Sequence, residues 1–255
     1  MSEILHLLPF VALAAFLAEY IDSSLGMGFG TTLTPIILLM GFEPLQVVPA
    51  VLLSEFVTGL VAAWLHHTMG NVRLVRGSID LPVALVLGGL GILGASTAAL
   101  VAVNLPKEWL GRYIGLTVLA TGILLLFTAK HAIRFSWRRL AAIGLLAAFN
   151  KSIGGGGYGA LIVGGQMLSG LNPKAAIGVT SLAEAVVCLA SLVTYFLLTR
   201  SFDWQLSMSL LVGALLSTPL AALTVKRLRL PHLRLGVALG ACALGLVITL
   251  GFARA

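Results

Sequence analysis

Charged side chains are scarce in this chain. They make up 10% of its 255 residues, against a hydrophobic share of 59%, and the mean hydropathy is +1.05. A soluble domain carries about a quarter charged residues, so a soluble fold is excluded and the sequence reads as an all-α polytopic membrane protein. There are two cysteines, Cys188 and Cys242, both in apolar runs. They read as buried free thiols, and a disulfide framework or thiolate metal site is not expected. Nine acidic residues face sixteen Lys and Arg. In a membrane protein that excess reads as basic loops facing the cytoplasm, not as a nucleic-acid surface. No His/Cys/Asp cluster has metal-ligand spacing, and no Ser/His/Asp set suggests hydrolysis. Neither an enzyme, a cofactor nor a metal is therefore expected. The first segment, 4–21, lacks a basic n-region and a clear cleavage site, and reads as a retained helix instead of a signal peptide.

What the chain has instead is an internal repeat. Residues 14–66 align with 143–195 without a gap, at a constant offset of 129. Gly26, Gly28 and Gly30 fall on Gly155, Gly157 and Gly159; Ser23 falls on Ser152, Phe29 on Tyr158, Gly41 on Gly170, Pro44 on Pro173 and Glu55 on Glu184. The later part of each half matches at an offset of 125, pairing Gly88 with Gly213, Pro106 with Pro231 and Gly115 with Gly240. This defines a first repeat (1–129), a basic connector (130–139) and a second repeat (140–255). A duplicated apolar half with a glycine-rich interruption is the pattern of a secondary transporter.

Long apolar segments are expected at 44–65, 81–103 and 109–129, and again at 173–198, 204–225 and 233–252. The pieces 4–41 and 139–170 differ: each is two short apolar stretches split by a polar, glycine-rich break at 22–30 or 151–159. The stretch after each break is about a dozen residues, under about 20 Å and too short to cross. Each piece therefore reads as a re-entrant hairpin whose tip sits near mid-membrane, where non-helical backbone survives only if buried in protein or lining a wet cavity. The basic residues support this. If both hairpins return to the side they enter from, eleven Lys and Arg share one face against four on the other; if each crosses once, the split is about eight to seven. The positive-inside rule favours the hairpins. Each half then has a hairpin plus three crossings, so the repeats are inverted and both termini face outside.

A helix that starts inside the membrane presents unpaired N–H groups and a positive dipole end, and glycines allow close approach to its backbone. Helix starts at about Phe29 and Tyr158 would converge on a small anion. The candidate contacts are Ser23, Ser24, Gly26, Gly28, Gly30, Thr31 and Thr32 in the first break and Lys151, Ser152, Gly155, Gly157 and Tyr158 in the second. The alternative for the glycines is close helix packing. The glycine pattern has no preceding strand and no Lys-Ser/Thr, so it is not a nucleotide loop. Asp22, Glu55, Lys151 and Glu184 are ionisable residues within the apolar zone, and Glu19 lies one turn before Asp22. Such residues are functional candidates by default. Asp22 and Lys151 hold matched places and are expected to pair. Glu55 and Glu184 are also matched, either as proton carriers or as braces for the hairpins. Asn150 and Gln166 are secondary polar candidates. His66 and His67 end a helix and read as capping or interfacial residues. Trp64, Trp109, Trp137 and Trp204 lie near span ends, as interface anchors should.

The run from Ala18 to Pro35, the Pro49–Glu55 run and their weaker copies at 154–159 and 178–184 resemble the sulfite exporter TauE/SafE family, also called the toluenesulfonate uptake permease family. The resemblance implies a bacterial inner-membrane carrier of small sulfur-containing anions: sulfite, sulfoacetate, isethionate or, in some members, thiosulfate. It implies protons as the coupling ion, the lipid bilayer as surroundings and no nucleic acid; a homodimer is compatible with it. Thiosulfate-importing relatives use cysteines along their pathway, and neither break here contains one. The other classes that fit the residues are an anion-selective channel and a membrane subunit of a larger assembly.

Overall fold

The computed structural model describes residues 2–127, 136–168, 171–200 and 202–227, with positions 239, 242–243, 246–247 and 249–250 of the last segment. Among the described residues there are nine α-helices and no strand: α1 (Ser2–Leu25), α2 (Phe29–Leu39), α3 (Pro44–Thr68), α4 (Asp80–Asn104), α5 (Lys107–Phe127), α6 (Trp137–Gly154), α7 (Tyr158–Leu168), α8 (Pro173–Thr199) and α9 (Trp204–Arg227). Five are long and apolar enough to cross a membrane by length and composition: α1 from Leu8, α3, α4, α8 and α9. Gly170, residues 130–135 of the connector and most of the helix expected at 233–252 lie outside the described residues.

The repeat is visible in the element bounds. The helices α2 and α7 start and end at matched residues and have 11 residues each; α3 and α8 start at matched prolines, placed at a helix position where the missing N–H costs nothing. The breaks are narrower than the polar runs of the sequence. Helix α1 continues through Asp22, Ser23 and Ser24, and α6 continues through Lys151 and Ser152, so only 26–28 and 155–157 leave the helix. Polar side chains do not by themselves unwind a helix. The turn is made by glycine: Gly26 and Gly155 take left-handed φ angles of 69° and 71°, and their N–H groups bond back to the carbonyls of Asp22 and Lys151. The first arm is also longer than the short stretch expected. At 1.5 Å per residue α1 spans about 36 Å, whereas α2 spans about 17 Å.

Packing between helices uses small residues. Helix α4 lies against α6 and α8. A Cβ on its Gly91 would sit 2.5 Å from a Val187 methyl, and one on Gly94 would sit 2.6 Å from the Leu145 carbonyl. Where lipid would offer no hydrophobic drive, such close approach supplies the dispersion contacts. Three buried clusters result: a small one of Met27, Ala160, Val163 and Ala176, and two larger ones, one around Phe29, Leu33, Val51 and Leu110, the other around Leu87, Tyr158, Ile162 and Val187. Each of the larger two contains the first residue of one short helix. Large apolar side chains also cover the outside, including Leu13, Leu93, Leu146, Leu197 and Leu216. The four tryptophans are 43–63% exposed, three of them at or beside a helix start and Trp64 in the last turns of α3.

Candidate functional site

The two breaks cross each other in direct backbone contact. A Cβ on Gly30 would overlap the Gly155 carbonyl oxygen, and a Cβ on Gly159 would overlap the Gly26 carbonyl oxygen. These are matched contacts: 26 pairs with 155 and 30 with 159 in the repeat. A Cβ on Gly156 would lie 2.6 Å from the Thr31 nitrogen. Across the crossing, the Gly157 N–H donates to Thr31 Oγ1 at 3.0 Å. The glycines thus serve chain against chain here, the packing alternative for their presence.

The first helix start is met by the protein's own carboxylate. Phe29 N–H donates to Asp22 Oδ1 at 3.1 Å, which places a negative charge at the positive end of α2. Thr32 Oγ1 donates to the Gly28 carbonyl. Asp22 is therefore not seen in an ion pair with Lys151. Instead Lys151, 1% exposed, is held by both matched glutamates: its Nζ contacts Glu55 Oε2 and lies 2.8 Å from Glu184 Oε1. The reason is positional. Helices α3 and α8 each bring their glutamate to the crossing, and the ammonium is the cation there to satisfy them. Cys188 is a buried free thiol with its Sγ 4.0 Å from Glu55 Oε2, so α8 brings a cysteine to the site although neither break contains one.

Several polar atoms around the crossing are buried without a hydrogen-bond partner: Ser24 Oγ, Thr34 Oγ1, Ser54 Oγ, Glu55 Oε1 and the Tyr158 hydroxyl. Tyr158 is fully buried and lies within electrostatic reach of Lys151 and Glu184. Unsatisfied buried polar atoms are uncommon and call for a reason, of which a ligand is one. A small cavity of about 10 Å³, the size of one water, is lined by Glu19, Asp22, Ser23, Glu55, Thr58, Ser181 and Glu184 among others. No group of three His, Cys, Asp or Glu side chains among the described residues has the arrangement of a metal site.

A model of the sulfite exporter TauE/SafE family matches residues 11–248. The chain belongs to the sulfite exporter TauE/SafE family. A curated relative, "Probable membrane transporter protein YtnM" of Bacillus subtilis (strain 168), is 30% identical over 243 residues, covering 90% of this chain and 77% of the relative. The family match spans both breaks, so the crossing lies within the TauE/SafE unit.

Three parts of this TauE/SafE site escaped the sequence reading. His66 is not interfacial: it is fully buried, with Nε2 3.1 Å from the Ser23 carbonyl and Nδ1 3.0 Å from Asn71 Nδ2. Its matched residue, Tyr195, donates to the Ser152 carbonyl at 2.8 Å. Ser23 matches Ser152, so the repeat ties down both breaks in the same way with different side chains. The alignment ends at this pair and held the signal. The second is the bonding of Glu19: the sequence places Glu19 one turn before Asp22 but does not point to Thr58. Ser23 Oγ donates to Glu19 Oε1 at 2.6 Å and Thr58 Oγ1 donates to Glu19 Oε2 at 3.2 Å. The third is Ser191, whose hydroxyl bonds that of Ser152. Of the secondary candidates, Asn150 links Tyr113 to the Gly156 carbonyl, and Gln166 donates to Thr180 at 2.9 Å.

Proposed function

We propose that this chain is a secondary active transporter of small sulfur-containing anions, sulfite or an organosulfonate such as sulfoacetate or isethionate, coupled to protons. The observation that carries this reading is Lys151, a buried ammonium at the crossing of the two breaks. An ammonium has three N–H donors. Two are engaged by Glu55 and Glu184, and the third, with the unpartnered hydroxyl of Tyr158 within electrostatic reach of Lys151, offers donors for the several oxygens of a sulfonate. The glutamates then brace Lys151, and the glycines hold the two breaks together.

Charge supports the coupling. Three buried carboxylates, Glu19, Glu55 and Glu184, and the half-buried Asp22 line one small cavity, and one buried lysine pairs with two of them. An anion cannot be held beside that many negative charges unless protons arrive with it, and by linkage each then favours the other. The matched helices and the distribution of basic residues favour two inverted repeats in a bacterial inner membrane with both termini outside. Rocking of one repeat against the other would expose the crossing to each side in turn.

The test is uptake of isethionate and sulfite into proteoliposomes. Saturable uptake with counterflow exchange is expected. Tyr158→Phe removes one oxygen and keeps the ring; it should raise the half-saturation concentration about 10- to 100-fold, the worth of a hydrogen bond to a charged group. Wild-type half-saturation in both Tyr158→Phe and Lys151→Arg overturns the site.

A further inference from the structure

The four carboxylates around the small cavity differ in what their partners permit. Asp22 accepts from a backbone N–H, which can only donate. Glu55 and Glu184 face the Lys151 ammonium, which also only donates. These donors stabilise the charged form of all three. Glu19 is bonded by the hydroxyls of Ser23 and Thr58 alone. A hydroxyl donates or accepts, so the same two partners can serve either a carboxylate or a carboxylic acid. Among the described residues Glu19 also has no salt bridge, although it is 2% exposed.

The surroundings are of one sign. On its own helix Glu19 faces Asp22; from α3 it faces Glu55 and Thr58; from α8 come Glu184 and Ser181 across the cavity. Among the described residues Lys151 on α6 makes ion pairs with Glu55 and Glu184 and none with Glu19, and it acts on Asp22 through space. His66 on α3 is engaged with the Ser23 carbonyl and Asn71. Helix α9, which packs along α1, supplies none of the lining residues, and neither does α2. Glu55 is 3% exposed, and its Oε1, on a side chain that lines the cavity, has no hydrogen-bond partner. Glu55 thus borders the same water-sized space as Glu19.

We propose that Glu19 takes up and releases the coupling proton, and that Glu55 and Glu184 do not. The proposal rests on the proton-coupled reading above and names its residue. In the loading step one proton from water forms an O–H bond at Glu19 Oε2, the negative charge is lost, and Thr58 turns from donor to acceptor. Release on the other side reverses each of these changes. The matched position in the second half is Ala148, so the repeat provides one such group.

The experiment is pH-difference infrared spectroscopy of the full chain in lipid nanodiscs, which needs no substrate. A protonated carboxylic acid has a carbonyl stretch that a carboxylate lacks. The wild type should show one such buried band that titrates. Glu19→Gln should abolish it, while Asp22→Asn, Glu55→Gln and Glu184→Gln keep it. Thr58→Val, which retains Glu19 and its shape, should move the midpoint of the band; it serves if Glu19→Gln fails to fold. A band that survives Glu19→Gln, a midpoint unmoved in Thr58→Val, or no titrating band in the wild type overturns the proposal. Failure of the transport reading shows separately, as absence of isethionate and sulfite flux in the wild type. Where flux is present, stimulation by a pH gradient should be lost in Glu19→Gln.

Discussion

The break at 26–28 and the break at 155–157 are built on the same glycines but carry opposite charges. Each ends a helix with a left-handed glycine, crosses the other in a reciprocal backbone contact, and has the carbonyl of its serine held from the following long helix, by His66 in one half and Tyr195 in the other. The one-turn neighbourhood before the glycines then diverges. The first break has Glu19 and Asp22 where the second has Ala148 and Lys151. Asp22 is spent locally, on the start of α2, whereas Lys151 draws in a glutamate from both halves. Duplication supplied a symmetric scaffold, and substitution at two positions made its charges asymmetric.

Removing the charge at the matched positions should break the comparison most. Lys151→Ala leaves Glu55 and Glu184 without their cation, and truncating one member of a buried pair costs about 3–5 kcal/mol. Asp22→Asn keeps an acceptor for Phe29 N–H and should cost about 1 kcal/mol. Thermal melting of the two purified variants should therefore show a large drop for the first and a small one for the second. Equal drops would mean that the two charges play equivalent parts.

Next come the shared glycines. Gly30→Ala and Gly159→Ala each force a methyl group onto a carbonyl of the opposite break, an overpacking worth about 1–3 kcal/mol or more. Because the contacts are reciprocal, the two melting points should fall by similar amounts. A tolerant Gly159 beside an intolerant Gly30 would refute the crossing. The smallest effect is expected where the halves use different side chains for one task. Tyr195→Phe loses a single hydrogen bond to Ser152, about 1 kcal/mol. His66→Phe loses two, to the Ser23 carbonyl and to Asn71, which keeps its bond to the Ala222 carbonyl, and should cost about twice as much. If the order reverses, His66 is not the counterpart of Tyr195.

Much of this was legible in the residues. The repeat, the all-helical class, the two short helices and the places where they start follow from glycines, prolines and apolar length, which act locally. The width of the breaks was not legible, because a polar side chain continues a helix when it has a partner, as Ser23 has in Glu19 on the same helix and Ser152 in Ser191 on α8. Nor was the partner of Lys151. Pairing it with Asp22 followed from their matched positions, but matched positions across a twofold axis need not touch; the distance depends on how the breaks cross. Glu19 was visible only as a neighbour of Asp22, and its distinction lies in two hydroxyls, one of them 39 residues away on α3.

The sequence by itself determined that this chain is a duplicated helical membrane protein of the TauE/SafE family with glycine-rich interruptions, since composition and periodicity decide which segments can be buried in lipid. Only the tertiary structure decided which charges meet. A buried ion pair depends on long-range packing of helices, and that packing gave Lys151 to Glu55 and Glu184, Asp22 to the start of α2, and left Glu19 with hydroxyls alone.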